Sequence, residues 1–150
     1  MRKSLLLLPV ILLGAACGDG PCGVAVNSLE GSIGETLDIT VDRVRVRKVD
    51  LETVAVEFLH GNDFVAKVVT DVRSFAKGVE IPLSDGSVRR LTSPETSFPT
   101  TIENGSITFE SELTPGTAAS GCFSVLFTDR DGGQRSLAGS FSAMLEDLSI

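Results

Sequence analysis

Hydrophobic and polar residues alternate in short stretches along most of the chain, and turn-forming residues separate the stretches. Val54, Val56 and Phe58 occupy every second position of one such stretch, and residues 123–127 (FSVLF) repeat the pattern. A period of two places alternate side chains on one face of a β-strand. Many short strands of this kind predict an all-β fold, and we expect an antiparallel β-sandwich of eight to nine strands.

Charge and hydrophobicity together predict the register of the first hairpin. When Val46 faces Val56, Arg45 faces Glu57 on the opposite side of the sheet. A shift by one residue would mix arginine with valine on both faces, so the first register is favoured. It assigns a stripe of three arginines to the solvent face of a strand, with contact to an anion or a lipid headgroup as the alternative. The stripe consists of Arg43, Arg45 and Arg47.

The last hairpin is predicted around Asp131-Gly132-Gly133, which has alternating hydrophobic residues on both sides. The expected register places Phe123 opposite Phe141. On the other face of the sheet, outside the phenylalanine core, Cys122 then lies beside Ser142.

Four further segments complete the expected order of elements. Residues 63–78 (DFVAKVVTDVRSFAKG) fit both a helical and an alternating pattern, and their β-branched residues favour a strand over a helix. The sequence Ser84-Asp85-Gly86-Ser87 is typical of a hairpin turn. Residues 92–101, with two prolines, are expected to be irregular, and residues 114–121 are expected to form a loop of small side chains.

Residues 1–16 have the layout of a secretory signal peptide. Arg2 and Lys3 precede an apolar run from Leu5 to Leu13, which only Pro9 interrupts. This run is too short to span a bilayer, which requires ~20 residues. The sequence therefore predicts export rather than a transmembrane helix at this position.

The residues Leu13-Gly14-Ala15-Ala16-Cys17 resemble the lipobox of bacterial lipoproteins, although Gly14 replaces the leucine that the family prefers there. The resemblance implies cleavage before Cys17 and attachment of acyl chains such as palmitate to this cysteine, which makes the membrane a partner. Gly18 next to it, instead of aspartate, implies the outer membrane of the cell envelope rather than the inner one. Gly14 and Ala16 also suit an ordinary signal peptidase, which would release a soluble secreted protein.

Three cysteines are present, which is an odd number for an exported protein. Lipidation of Cys17 would leave Cys22 and Cys122 to form a disulfide in an oxidising compartment, with two free thiols as the alternative. The five residue steps from Cys17 to Cys22 extend at most about 17 Å, so a disulfide would hold the domain close to its membrane. The expected organisation is a signal peptide at 1–16, a lipidated tether at 17–22 and a single β-sandwich domain at 23–150.

The composition narrows the range of partners. The formal net charge is −7, and without Arg2 and Lys3 the chain keeps 11 basic and 20 acidic side chains. Such a surface disfavours nucleic acid. The chain contains no tyrosine or tryptophan, the residues that are enriched in binding hot spots and that stack on sugars. Its eight phenylalanines have strand-like positions typical of a core.

No pattern predicts a catalytic residue, a cofactor site or a metal site. His60 is the only histidine, and Asp63 is nearby, but no nucleophile or metal motif accompanies the pair. Residues 129–132 (DRDG) resemble part of a calcium loop, yet they offer too few oxygens for the ion and suit a turn. Glu110 and Glu112 would share one strand face, but a glycosidase is not indicated without aromatic subsites.

The domain also resembles a group of lipoproteins predicted from myxobacterial-type genomes, in residues 28–32 (SLEGS), 41–46 (VDRVRV) and 137–143 (LAGSFSA). That resemblance implies a similar fold and no particular activity. The leading hypothesis is a membrane-anchored, non-catalytic envelope module that binds a partner protein or supports an assembly. The alternatives are a hydrolase or metal-dependent envelope enzyme built around His60 and Asp63, and a soluble secreted binding protein.

Overall fold

The computed structural model describes residues 21–149, which form nine β-strands and two short 3₁₀ helices. The predicted signal peptide at 1–16, Cys17 and most of the predicted tether lie outside the described residues. Within the described part of the chain, no helix is long and apolar enough to cross a membrane. The all-β class that the alternating pattern predicts is confirmed.

The strands coincide with segments rich in valine, isoleucine, phenylalanine and threonine, because these side chains fit a pleated, half-buried surface. In chain order they are β1 (Ser28–Glu30), β2 (Arg43–Lys48), β3 (Thr53–His60), β4 (Asp63–Asp71), β5 (Glu80–Pro82), β6 (Val88–Leu91), β7 (Thr101–Phe109), β8 (Ala118–Thr128) and β9 (Gln134–Asp147). The two 3₁₀ helices are Pro21–Gly23 and Ser32–Glu35.

The strands form one continuous sheet in the order β5-β7-β8-β9-β2-β3-β4-β6, and β1 pairs separately with β9. The strand pairs are antiparallel except for β2 with β9, which run parallel with Val46 opposite Leu145. The sheet curls so that its two halves face each other, as the layers of a sandwich do. We call the half with β5, β7, β8 and most of β9 the β8 half, and the half with β2, β3, β4 and β6 the β3 half.

Phenylalanine rings fill the space between the two halves. Phe58 of β3 packs against Phe123 of β8, with ring centroids 5.6 Å apart. Phe109 and Phe141 form an edge-to-face pair at 5.5 Å. Aromatic pairs of this kind contribute about 0.5–1.5 kcal/mol beyond the area that they bury. The sequence predicts a core role for all eight phenylalanines; six are buried, whereas Phe64 and Phe75 are only partly buried.

The register predicted for the first hairpin is confirmed. β2 and β3 pair with Val46 opposite Val56 and with Arg45 opposite Glu57. Residues 63–71 form a strand, as their β-branched side chains predict, and residues 92–100 contain no strand.

The register predicted for the last hairpin is wrong by two residues. Phe123 pairs with Gly139 instead of Phe141, and Cys122 pairs with Ser140. The reason is steric: a Cβ at position 139 would lie 2.5 Å from the Phe123 ring, so a residue without a side chain is needed beneath that ring. A shift by two keeps each residue on its predicted face, because the side-chain period of a strand is two.

Two predicted connections also differ from the structure. Residues 84–87 form a tight turn, with Ser87 N donating to Ser84 O at 2.9 Å, but the turn joins opposite edges of the sheet and not a hairpin. Residues 118–121, expected in a loop, begin β8 instead. Small residues fit there because a Cβ at Gly121 would lie 2.9 Å from the Phe141 ring.

Candidate functional site: the basic face of the β3 half

A row of charged side chains crosses the outer face of the β3 half. Strand pairing places Arg45 of β2 beside Glu57 of β3, and Glu57 beside Lys67 of β4. Lys67 in turn lies beside Arg89 of β6. Two more arginines flank Arg45 on the same face of β2. We call the five basic side chains the basic face, and its members are Arg43, Arg45, Arg47, Lys67 and Arg89.

Glu57 lies at the centre of the basic face and is almost completely buried, with 1% of its surface exposed. Its Oε1 is 3.0 Å from Lys67 Nζ, and its Oε2 is 3.0 Å from a terminal guanidinium nitrogen of Arg45. A terminal nitrogen of Arg47 lies 3.7 Å from the same Oε2. Three basic side chains therefore share one carboxylate.

Glu57 points away from the core and is buried because longer side chains cover it. The Arg45, Arg47 and Lys67 side chains are between 27% and 30% exposed, so their stems form a layer over β3. Ala55, on the same outer face, is buried as well. The arginine stripe does lie on the outer face as predicted, but Arg45 and Arg47 are held over Glu57 instead of extending freely into solvent.

The cluster carries more positive than negative charge. Glu146 of β9 supplies a second, exposed carboxylate, 3.4 Å from Arg47 Nε. Within residues 21–149, neither Arg45 Nε nor Arg47 Nε has a hydrogen-bond partner, although both atoms are buried. Guanidinium groups form strong, often bidentate hydrogen bonds with carboxylates and phosphates. The two arginine side chains are 29% and 27% exposed, so the exposed part of each guanidinium can bind a further anion that approaches from solvent.

Apolar side chains border the basic face toward β6. Lys67 Nζ lies 5.4 Å from the centroid of the Phe64 ring. Leu91 pairs with Phe64 across β4 and β6, and it is 54% exposed. Arginine and aromatic residues are enriched in protein–protein interfaces, and hot spots combine them with a surrounding that excludes water. Arginines and exposed apolar area therefore adjoin on this side of the β3 half.

His60 and Asp63 lie at the end of the sheet where β3 turns into β4, and they pair with each other across that turn. The His60 ring nevertheless lies beside Asp42, with 3.6 Å between Nδ1 and Oδ2. Asp63 Oδ2 accepts a hydrogen bond from the Ser93 backbone N–H at 3.1 Å. The two residues that an enzyme would combine as acid and base are therefore engaged with different partners.

His60 and Asp63 both line a polar pocket of about 370 Å³, together with Arg90 and Asp38. Arg90 donates to the Thr96 hydroxyl at 2.8 Å and to the Val65 carbonyl at 3.2 Å, and burial lowers its pKa. Hydrogen bonds from Thr40 hold the pKa of Asp38 below its usual value. These hydrogen bonds hold the segments around the pocket together.

The other acidic residues singled out from the sequence lie in a turn or after the end of a strand. The Asp129 carboxylate accepts hydrogen bonds from the backbone N–H groups of Asp131 at 3.1 Å and Gly133 at 2.7 Å, which closes the turn between β8 and β9. Glu110 and Glu112 follow the end of β7 instead of sharing a strand, and both are exposed. In residues 21–149, no group of three His, Cys, Asp or Glu residues is placed to hold a metal ion.

Cys22 and Cys122 form a disulfide, as predicted, with their Cα atoms 6.0 Å apart. Cys122 lies on the outer face of the β8 half and is buried. The disulfide therefore attaches the beginning of the described chain to the outside of β8.

Sequence reasoning finds the pair of Arg45 and Glu57 and misses the cluster around it. The missing member is Lys67, which reaches this face only because residues 63–71 form a strand. One feature of the sequence does indicate such a cluster. A lone glutamate lies inside the hydrophobic run of β3 (TVAVEFLH), and a buried charge requires partners.

The fold and this site define a nine-stranded, curled all-β domain with a basic outer face on a chain of net negative charge. No family model, curated protein or solved structure matches the chain. Its function has to be argued from its own residues.

Proposed function

We propose that this protein is a lipid-anchored, non-catalytic lipoprotein of the cell envelope whose domain binds an acidic partner protein through the basic face. The observation that carries the proposal is the cluster on Glu57. The chain has 13 basic and 20 acidic side chains, yet five of the basic ones share one face of the β3 half. Complementary charge steers two proteins together and fixes their relative orientation.

The disulfide supports the lipid anchor. It occupies Cys22 and Cys122, which leaves Cys17 as the remaining cysteine of the chain. Cys17 ends the segment that resembles a lipobox. A single acyl chain binds a membrane only weakly, at ~0.8 kcal/mol per buried methylene, but two or three chains on one residue provide a stable anchor. Gly18 favours the outer membrane as its location.

A partner protein suits the basic face better than a small anion does. Phe64 and Leu91 provide apolar area beside the charges, and only a macromolecular partner would cover both. Glu57 holds Arg45 and Lys67 in place, so less side-chain entropy is lost when a partner binds. Acidic side chains of the partner would replace solvent at the exposed parts of the guanidinium groups.

Crosslinking and pull-down from membranes of producing cells test the binding proposal. Charge reversal at Arg43 and Arg89 (R43E with R89E) leaves the three contacts to Glu57 intact, and we expect it to reduce recovery of the partner about tenfold or more. The matched control is K77E with R130E, which reverses two exposed basic residues outside the basic face. Equal recovery by both double variants would contradict the proposal.

Two further measurements extend the same experiment: recovery of the partner at different salt concentrations, and its recovery with a His60 variant. Recovery of the partner is expected to fall as salt rises, because screening weakens contacts between exposed charges. The substitution His60→Ala is expected to leave recovery unchanged. Loss of a measurable activity in folded H60A protein would favour the enzyme alternative instead.

Metabolic labelling with a fatty acid tests the anchor. The protein is expected to take up label and to fractionate with membranes, and Cys17→Ser is expected to abolish both. Unlabelled protein in the soluble fraction would show that the secreted alternative is correct.

A further inference from the structure

We infer that the outer face of the β8 half lies against the membrane, so that the basic face is directed away from it; this inference rests on the proposed lipid anchor at Cys17. We call this surface the tethered face. It is formed by the outward side chains of β7, β8 and β9, among them Ser106, Ser120, Ser124, Ala138, Ser142 and Met144.

The disulfide determines which side of the domain the anchor reaches. Cys122 lies on the outer face of β8, between Thr108 of β7 and Ser140 of β9. Cys22 is bonded to it, so the chain toward Cys17 leaves the domain from the tethered face. Only five residue steps separate Cys22 from Cys17, and they extend at most about 17 Å.

The opposite orientation requires a longer tether. The two halves pack face to face through Phe58 and Phe123. Packed sheets lie about 10 Å apart, and the side chains on the two outer faces increase the distance between the two outer surfaces to roughly 20 Å. If the basic face touched the membrane, Cys22 would lie beyond that distance from it. The tether would also have to pass around an edge of the sheet. A chain of about 17 Å does not reach.

The chemistry of the tethered face agrees with this orientation. The strands β7 and β8 contribute small uncharged side chains at its centre, among them Ser106 and Ser124, and the acidic residues Glu30, Glu80 and Glu103 lie around them, with Glu30 beside Ala138. Met144 is 58% exposed on the same face. Anionic lipid headgroups repel acidic side chains, so the uncharged centre of this face can lie close to a membrane without that repulsion.

The orientation leaves the basic face accessible to a partner. Anionic lipids would otherwise compete for its arginines, because basic clusters near a membrane bind such headgroups. With the tethered face on the membrane, the thickness of the domain separates the arginines from the headgroups. The partner is then met on the side that faces away from the bilayer.

Fluorescence quenching on full-length, acylated protein tests the inference. The protein is reconstituted into phosphatidylcholine vesicles that contain a lipid with a quencher on its headgroup. One fluorophore is attached in the variant S106C, on the tethered face, and the same fluorophore is attached in the matched variant R89C, on the basic face. Mass spectrometry of both variants first establishes that Cys17 is acylated and that Cys22 remains bonded to Cys122.

We expect the fluorophore of S106C to be quenched several times more strongly than that of R89C. Insertion of ten glycine and serine residues between Gly20 and Pro21 is expected to reduce this difference, because a longer tether no longer restricts the orientation. Equal quenching, stronger quenching in R89C, or vesicle-bound protein without quenching at either site would overturn the orientation and leave the anchor intact. Absence of acylation, with protein that does not float with vesicles, would overturn the anchor and the orientation together.

Discussion

The Phe123 ring of β8 lies over Gly139 of β9 at the centre of the fold. A Cβ on this glycine would be 2.5 Å from that ring and 3.0 Å from the Phe58 ring of the opposite half. The absence of a side chain at one position therefore lets two rings from different halves of the sheet meet at 5.6 Å. It also sets the register of the last hairpin.

The substitution Gly139→Ala is expected to lower the free energy of unfolding by about 1–3 kcal/mol, because an added methyl group overpacks a filled core. Urea denaturation measures the change. The neighbouring substitution Ala138→Ser, on the outer face of the same strand, is the control and is expected to remain within about 0.5 kcal/mol of the wild type. Equal stability of the two variants would show that the rings move apart at little cost.

The substitution Glu57→Gln removes the carboxylate that three basic side chains share. Breaking a fully buried ion pair costs about 3–5 kcal/mol, but the cations here are partly exposed and can be hydrated, so we expect a loss of about 1–3 kcal/mol. Chemical denaturation of the Glu146→Gln variant provides the comparison. Glu146 is exposed, and within residues 21–149 its one ion pair is with Arg47, so its removal is expected to change stability by less than about 1 kcal/mol.

Loss of the disulfide is expected to destabilise the domain strongly. Cys22 and Cys122 are 100 residues apart in sequence, and closing a loop of this length contributes up to about 4.7 kcal/mol in the chain-entropy model. The double variant C22S with C122S is expected to lose about 2–4 kcal/mol in a denaturant titration. The denaturant titration curve of wild-type protein in the presence of a reductant should coincide with that of this variant. A large difference between the two curves would point to an effect of the serines themselves.

Asp71 and Arg73 predict a small dependence of stability on pH. Arg73 donates from Nε to the Asp71 carboxylate at 2.7 Å, and this bond holds the pKa of Asp71 below its ordinary value of 3.8. A carboxyl with a lowered pKa in the folded state stabilises the fold above its unfolded pKa, and the contribution is lost as the pH falls through the folded pKa. The variant D71N should therefore be less stable than the wild type near pH 6, and the gap should close toward about pH 2. The variant D131N, in an exposed turn, serves as control.

Much of the fold could be predicted from local pattern. The alternation of Val54, Val56 and Phe58 fixes a strand and its inner face, and charge pairing between Arg45 and Glu57 selects the correct register. The register of β8 and β9 could not be predicted in the same way. All registers that differ by two residues keep the same faces, and the crowding at Gly121 and Gly139 distinguishes them.

The candidate site could be predicted only in part, because it depends on the order of strands in the sheet. Glu57 has neighbours on β2 and β4, and Arg89 joins the row only because β6 pairs with β4. The turn at residues 84–87 suggests a hairpin locally, but the strands beside it lie at opposite edges of the sheet. Non-local pairing of this kind leaves no signal in adjacent residues.

The strand order also determines when the chain can fold. β9 follows the other eight strands in sequence, yet it pairs with β8, β1 and β2 and supplies Phe141 and Leu145 to the core. The two halves of the sheet cannot join before it has been synthesised, and pairings so distant in sequence form slowly. The local pairs of β2 with β3 and of β7 with β8 can form earlier, but the complete core forms only after the last strand has been synthesised.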